Sequence, residues 1–214
     1  MTITEFKELY SNVNDPKTIK TECLSRVKPK IVNKNLCKEI LANKVSRDFL
    51  DLAIYYYIEF EAYSIIKSVL VTTELADWLG VTEENLYTAA INNIKGDEVI
   101  QKLGNVLEML GVDTEEKIGK ELSVLVISNK NGINGAAQIL NPDTMEQLSK
   151  KIGSCYLIPS SIHEWLAVPL DVVSYNQLNT TINEVNQTIL KKEEILSDHC
   201  YFYDASLREV MLPL

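Results

Sequence analysis

Apolar residues recur along this chain with two different periods. Residues 51–60 (DLAIYYYIEF) and 65–71 (IIKSVLV) are rich in β-branched and aromatic side chains, the signature of strands. The short gap at 61–64 predicts a hairpin, with Leu52, Ile54, Tyr56 and Ile58 sharing the core face. Residues 27–32 alternate Val27, Pro29 and Ile31 with lysines. This predicts a short edge strand, because proline and outward lysine are tolerated where a ladder is incomplete. Elsewhere the period is helical. Residues 4–10 predict a short helix with Thr4 as cap and Phe6, Leu9 and Tyr10 on one side, ended by residues 12–16. Residues 35–43 read as a helical turn or two with Leu36, Ile40 and Leu41 inward. A threonine cap at 72–73 opens a helix that Gly80 closes, and Thr82 opens another whose stripe is Leu86, Ala89, Ala90 and Ile94. Asp97 predicts a third, with Val99, Leu103, Val106, Leu107 and Leu110 repeating at three and four.

The second half repeats the mixture. Residues 122–128 predict a strand, the Asn-Gly pairs at 131–132 and 134–135 supply the positive φ angles of tight hairpins, and residues 136–140 are expected to return. Pro142 suits a first helical turn, with Met145, Leu148 and Ile152 next and Gly153 as the stop. Residues 155–158 and 164–168 flank 159–163 as a further hairpin. Ser174 caps a helix that turns Leu178, Ile182, Val185 and Ile189 inward and Asn176, Asn179, Asn183 and Asn186 elsewhere. Residues 201–203 and 209–212 predict a last hairpin. Strands and helices come in clusters rather than strict alternation, so the expected class is α+β, a mainly antiparallel sheet of hairpins with helices packed on it. One domain over 1–214 is expected, with substructure at 26–112 and 120–214.

Composition narrows the classes. A chain of 214 residues with 46% hydrophobic and 24% charged content is an ordinary globular one. No apolar run reaches the ~18 residues of a membrane span, and the N-terminus lacks the pattern of a secretory signal, so a cytoplasmic protein without membrane partners is expected. The net charge of −9 argues against a general nucleic-acid binder. That charge is uneven. Residues 1–50 carry ten Lys/Arg against six Asp/Glu, whereas 51–140 carry six against fourteen and 141–214 five against ten. The basic strip at 17–47 makes Lys28, Lys30, Lys34 and Lys38 candidate partner-binding residues, with a solvated lysine face as the plainer alternative. Cys23, Cys37, Cys155 and Cys200 are far apart in sequence, without a Cys-x-x-Cys pair, and read as free thiols.

Several segments in one order resemble a bacterial domain-of-unknown-function family, number 5688. They are KIVNKN (30–35), DFLDLAI (48–54), VTTELADWLGV (71–81) with ENLYTAA (84–90), LIPSSIHE (157–164) and LSDHCY (196–201). The PSSIHE stretch is the most specific. Members of that family are longer, so the resemblance implies a chain with a shortened N-terminus. It implies one intracellular fold and no established activity, substrate or cofactor.

Candidate chemistry concentrates in two places. Ser160, Ser161, His163 and Glu164 bring hydroxyl, imidazole and carboxylate together, as hydrolases require, but adjacent strand residues face opposite ways and the Gly-x-Ser-x-Gly elbow is absent. The competing reading has the serines bonding a turn and His163 or Glu164 tying it to a neighbour. Asp198, His199 and Cys200 could join His163 and Glu164 in a metal site if the segments meet, yet no paired ligand spacing exists. Three functions are compatible with these residues. The first is a non-enzymatic protein-interaction or adaptor module without cofactor, compatible with a homodimer. The second is a hydrolase or metal-dependent enzyme centred on those six residues. The third is an acidic inhibitor of a nucleic-acid enzyme, encoded by a mobile element, with acids at 113–121 and 193–198 as its surface.

Overall fold

A computed structural model describes residues 1–62, 65–104 and 124–212. These form two compact units, residues 1–95 and 96–214, each with its own antiparallel sheet. The class is α+β, as the clustered pattern predicts.

The first unit runs α1 (Ile3–Leu9), α2 (Pro16–Leu24), β1 (Val27–Asn33), α3 (Lys38–Leu41), β2 (Ser46–Phe49), β3 (Leu52–Ala62), β4 (Ile65–Leu70), α4 (Thr73–Leu79) and α5 (Glu83–Asn93). The long strand β3 is its axis. β1 lies along one side, from Val27 opposite Ile58 to Asn33 opposite Leu52. β2 and then β4 share the other side. β1 is an edge, and Pro29 sits in it where a missing N–H is harmless. Every residue from Leu52 to Ile58 is buried, so β3 has two covered faces where alternation suggested one. Thr72 and Thr82 cap α4 and α5 through Leu75 N–H and Asn85 N–H, and Gly80 ends α4 at φ 61°. A polar knot holds α5 to the sheet: Arg47 bonds Glu83 and Glu84 and stacks on the Tyr87 ring at 3.9 Å, while the Tyr56 hydroxyl also donates to Glu83.

Three local expectations change here. The cap of α1 is Thr2, which forms a capping box with Glu5, rather than Thr4. Residues 16–24 are helical: Asp15 caps them and Pro16 occupies the first turn, the same proline that reads as a breaker of the preceding helix. Around α3 the buried side chain is Cys37, and Leu36 and Ile40 are exposed, because the single turn is too short to present a stripe.

The second unit runs β5 (Glu98–Lys102), β6 (Leu125–Asn129), a 3-10 segment (Gly135–Leu140), α6 (Pro142–Ile152), β7 (Cys155–Ser161), β8 (Glu164–Pro169), α7 (Tyr175–Thr188), a 3-10 turn (Lys192–Glu194), β9 (Tyr201–Asp204) and β10 (Glu209–Met211). The strand order is β10-β9-β7-β8-β6-β5. Residues 98–102 pair with β6 instead of starting a helix, and the helical stripe drawn through Val106, Leu107 and Leu110 lies outside the described residues. The Asn-Gly pairs do turn the chain, with Gly132 at φ 65° and Asn134 at 55°. Beyond them the chain forms a fully buried 3-10 segment rather than a returning strand. Its entry explains this. A Cβ on Gly135 would stand 2.2 Å from Ser128 Oγ and 2.5 Å from the His163 carbonyl oxygen, so the backbone crosses the sheet at a distance that glycine alone allows. The segment covers one sheet face, and buried Trp165 donates from its indole nitrogen to the Ala136 carbonyl at 2.9 Å. α7 covers the other face, packing Leu178 and Ile182 with Tyr156, Ile158 and Cys200.

Candidate functional site

The β7–β8 hairpin carries the most specific sequence motif, and its shape originates at Pro159. Register runs evenly from Cys155 opposite Pro169 to Ile158 opposite Leu166, then shifts before Ser161 pairs with Glu164. A proline cannot donate to the ladder, and the register shift falls at this point of the strand. The Ser160 hydroxyl donates to Glu164 Oε1 at 3.2 Å. Ser161, buried, accepts from the His163 backbone N–H at 3.0 Å and closes the turn. The His163 ring accepts at Nδ1 from the Asn134 N–H at 3.1 Å, and the His163 carbonyl accepts from Ser128 Oγ at 2.8 Å. Among the described residues, no serine hydroxyl is bonded to the His163 ring, the contact that an activated nucleophile needs.

The second motif runs beside the first, since the Ile162 N–H donates to the Glu194 carbonyl at 3.0 Å. The two histidines nonetheless have separate partners. His199 Nδ1 lies 2.9 Å from Asp198 Oδ1 and 3.2 Å from Ser197 Oγ, and its ring packs against Tyr201. Among the described residues, no group of three His, Cys, Asp or Glu is placed to hold a metal ion. All four cysteines are free and buried. Burial pushes the Cys155 thiol up to about 12 and those of Cys23 and Cys200 to about 11, which keeps them protonated and poor as nucleophiles or ligands.

A ladder of asparagines on α7 positions Asp198 and His199. Asn186 Nδ2 donates to the Ser197 carbonyl and Asn183 Nδ2 to the Asp198 carbonyl, both at 2.9 Å, while Asn179 Oδ1 accepts from the Cys200 N–H at 2.9 Å. Three side chains at i, i+4 and i+7 therefore hold an irregular strip of backbone along one helix face, much as a neighbouring strand would. The spacing is visible in the sequence; the strip it holds is not.

Between α7 and the hairpin lies a cleft of about 430 Å³, open water included. Its walls are Ile158, Pro159, Leu166, Leu178, Ile182 and Val185. The polar groups that reach it are already committed, Ser160 to Glu164, Thr181 to the Gln177 carbonyl and Asn186 to the Ser197 carbonyl. The stripe continues one turn beyond Val185 to Ile189, which is 73% exposed rather than inward. Neither histidine lines this cleft.

In the basic strip of the first unit, Arg26, Lys28, Lys34 and Arg47 form ion pairs. Lys28 pairs with Glu59 and Lys34 with Asp48, each at 2.7 Å, and Arg26 pairs with Glu22. Burial lowers the pKa of half-buried Lys30, and Lys38 is exposed at the start of α3. Of the acids expected to form one surface, 113–121 lie outside the described residues, and Glu193 and Glu194 stand directly after Lys191 and Lys192.

Fold and site together define a two-unit α+β protein whose signature motifs build a braced turn beside an apolar cleft. A family described as of unknown function, DUF5688, matches residues 3–205, and the chain belongs to it. No curated protein and no solved structure matches the chain. Among the described residues no helix is long and apolar enough to cross a membrane.

Proposed function

We propose that the protein is a non-enzymatic interaction module of the bacterial cytosol, and that the cleft between α7 and the β7–β8 hairpin is where it engages another protein. The observation that carries this reading is the cleft itself: six apolar walls, polar side chains that each bond within the protein, and exposed Ile189 extending the same stripe. Surfaces of this kind mark recognition sites, because open apolar area costs solvation free energy until a partner covers it. The bonding of Ser161 and His163 to backbone favours this over the hydrolase reading.

The test is site-specific photo-crosslinking of the full chain in its own cells. A benzophenone side chain at position 189 is expected to give a discrete protein adduct that Ile182→Trp, which fills the cleft, abolishes; one at exposed Ile66 of the first unit serves as control. An adduct that survives cleft filling, or one equally formed from position 66, overturns the proposal. Folding of the Ile182→Trp variant is checked by near-ultraviolet circular dichroism, and Leu178→Met serves as a volume-conserving control.

A further inference from the structure

The occupant of this cleft can be specified by its chemistry. We infer that it is a protein segment whose aliphatic side chain, leucine or isoleucine in size, enters the cleft while an adjacent lysine or arginine pairs with Glu164. This rests on the docking reading above and adds the partner's chemistry to it.

The preference for hydrocarbon comes from the hydrogen bonds already made. Ser160, Thr181 and Asn186 each make a hydrogen bond within the protein and the other six lining residues are apolar, so a polar group pushed between Ile158 and Ile182 would give up its water for few partners. An aliphatic side chain loses nothing. The space is also too small for a helix face. At about 430 Å³ with its open mouth counted, it takes one or two branched side chains and leaves the rest of the ligand outside.

The preference for a cation comes from the group at the lip. Ser160 lines the cleft, and its hydroxyl occupies only one oxygen of the half-buried Glu164 carboxylate. The other oxygen, Oε2, has no partner among the described residues. A carboxylate with a vacant acceptor beside an apolar wall prefers a ligand that brings a cation. Its surroundings reinforce the sign: among the described residues no lysine or arginine lines the cleft, and residues 152–212 carry eight Asp/Glu against three Lys/Arg. Alternation along β7 puts Ser160 on the face of Ile158, and alternation along β8 puts Glu164 on the face of Leu166, and both Ile158 and Leu166 line the cleft.

The experiment uses the full chain with labelled isoleucine and leucine methyl groups, titrated with blocked tetrapeptides that carry Leu-Lys, Leu-Glu or Ala-Lys between two serines, and with hexylamine. The Leu-Lys peptide is expected to shift the Ile158 and Ile182 methyls saturably, with an affinity on the order of millimolar for so small a ligand. Replacing Leu by Ala is expected to weaken binding by at least about tenfold. Replacing Lys by Glu is expected to weaken it about threefold, a preference lost in Glu164→Gln while the leucine preference stays. If no peptide moves these methyls, the docking reading itself fails. If Leu-Lys and Leu-Glu bind alike to the unaltered protein, docking stands and the cationic partner is overturned. If hexylamine binds as tightly as the Leu-Lys peptide, the occupant is a small amphiphile and the protein segment is overturned.

Discussion

At the scale of single residues, the site is held by groups that bond backbone rather than one another. Asn179, Asn183 and Asn186 are the clearest instance. Each net hydrogen bond is worth about 1 kcal/mol, and removing a partner leaves a carbonyl or N–H to find water. Asn183→Ala and Asn186→Ala are therefore expected to lower stability by about 1 kcal/mol each, read as a fall in the urea midpoint at unchanged slope. Gly135→Ala is expected to be far worse, about 3 kcal/mol or more, because its methyl would overlap both the Ser128 side chain and the His163 carbonyl. These residues are legible in part. Asparagines recurring at three and four announce one helix face, and an Asn-Gly pair announces positive φ, but a turn that feeds a strand and one that feeds a 3-10 segment look alike in one dimension. The roles of Ser161 and His163 are legible as a braced turn, because serines two residues from a bend commonly bond its backbone.

At the scale of elements, the sequence is readable where a segment carries its own signals. The starts of α4 and α5, both threonine-capped, and of α6, opened by Pro142, stand where local chemistry puts them. The segment at 98–102 departs from its local pattern for a physical reason. Val99 and Leu103 fit a helical stripe, but β6 is buried from Leu125 to Ser128 and pairs β8 on one side, so its other edge draws residues 98–102 into a ladder. That preference depends on partners 23 to 31 residues away in the chain, from Lys102 with Leu125 to Glu98 with Asn129. Conversely, the start of α2 is written in Asp15-Pro16, but a proline reads equally as an end or as a beginning until its cap is recognised. A local test of the capping argument is Thr82→Ala, expected to cost about 1 kcal/mol through the lost bond to Asn85 N–H. Thr88→Ala in the same helix, with its hydroxyl 3.5 Å from Glu84, is expected to be nearly neutral in the same denaturation series.

At the scale of the whole molecule, the two units share a design: a small antiparallel sheet with a buried middle strand and helices laid on it. Their thiols give the protein a defined response to alkali. Cys23, Cys155 and Cys200 stay protonated in the fold up to about 11, 12 and 11, whereas cysteines in an unfolded chain ionise near ~8.5. Between roughly pH 8.5 and 11 the unfolded chain therefore binds fewer protons than the native one, and stability falls as pH rises. Melting temperature is expected to hold below that range and drop through it; replacing Cys155 by alanine or serine should flatten part of the drop. At the acid end the sign is opposite. Asp204 is held low by the Ser206 hydroxyl and by backbone N–H groups of Leu207 and Ser206, so its contribution is present above the usual carboxylate range and lost as pH falls through the lowered value.

Placement of those same sulfurs has a kinetic consequence. Cys23 and Cys37 lie in residues 1–95, Cys155 and Cys200 in residues 96–214, and none is more than 6% exposed. A thiol reagent in excess can modify them only after local opening, so labelling rates act as paired clocks, one pair for each half of the chain. Mass spectrometry of partly labelled protein then separates a molecule that opens all at once, which shows four modifications or none, from one whose halves open independently, which accumulates a doubly modified species.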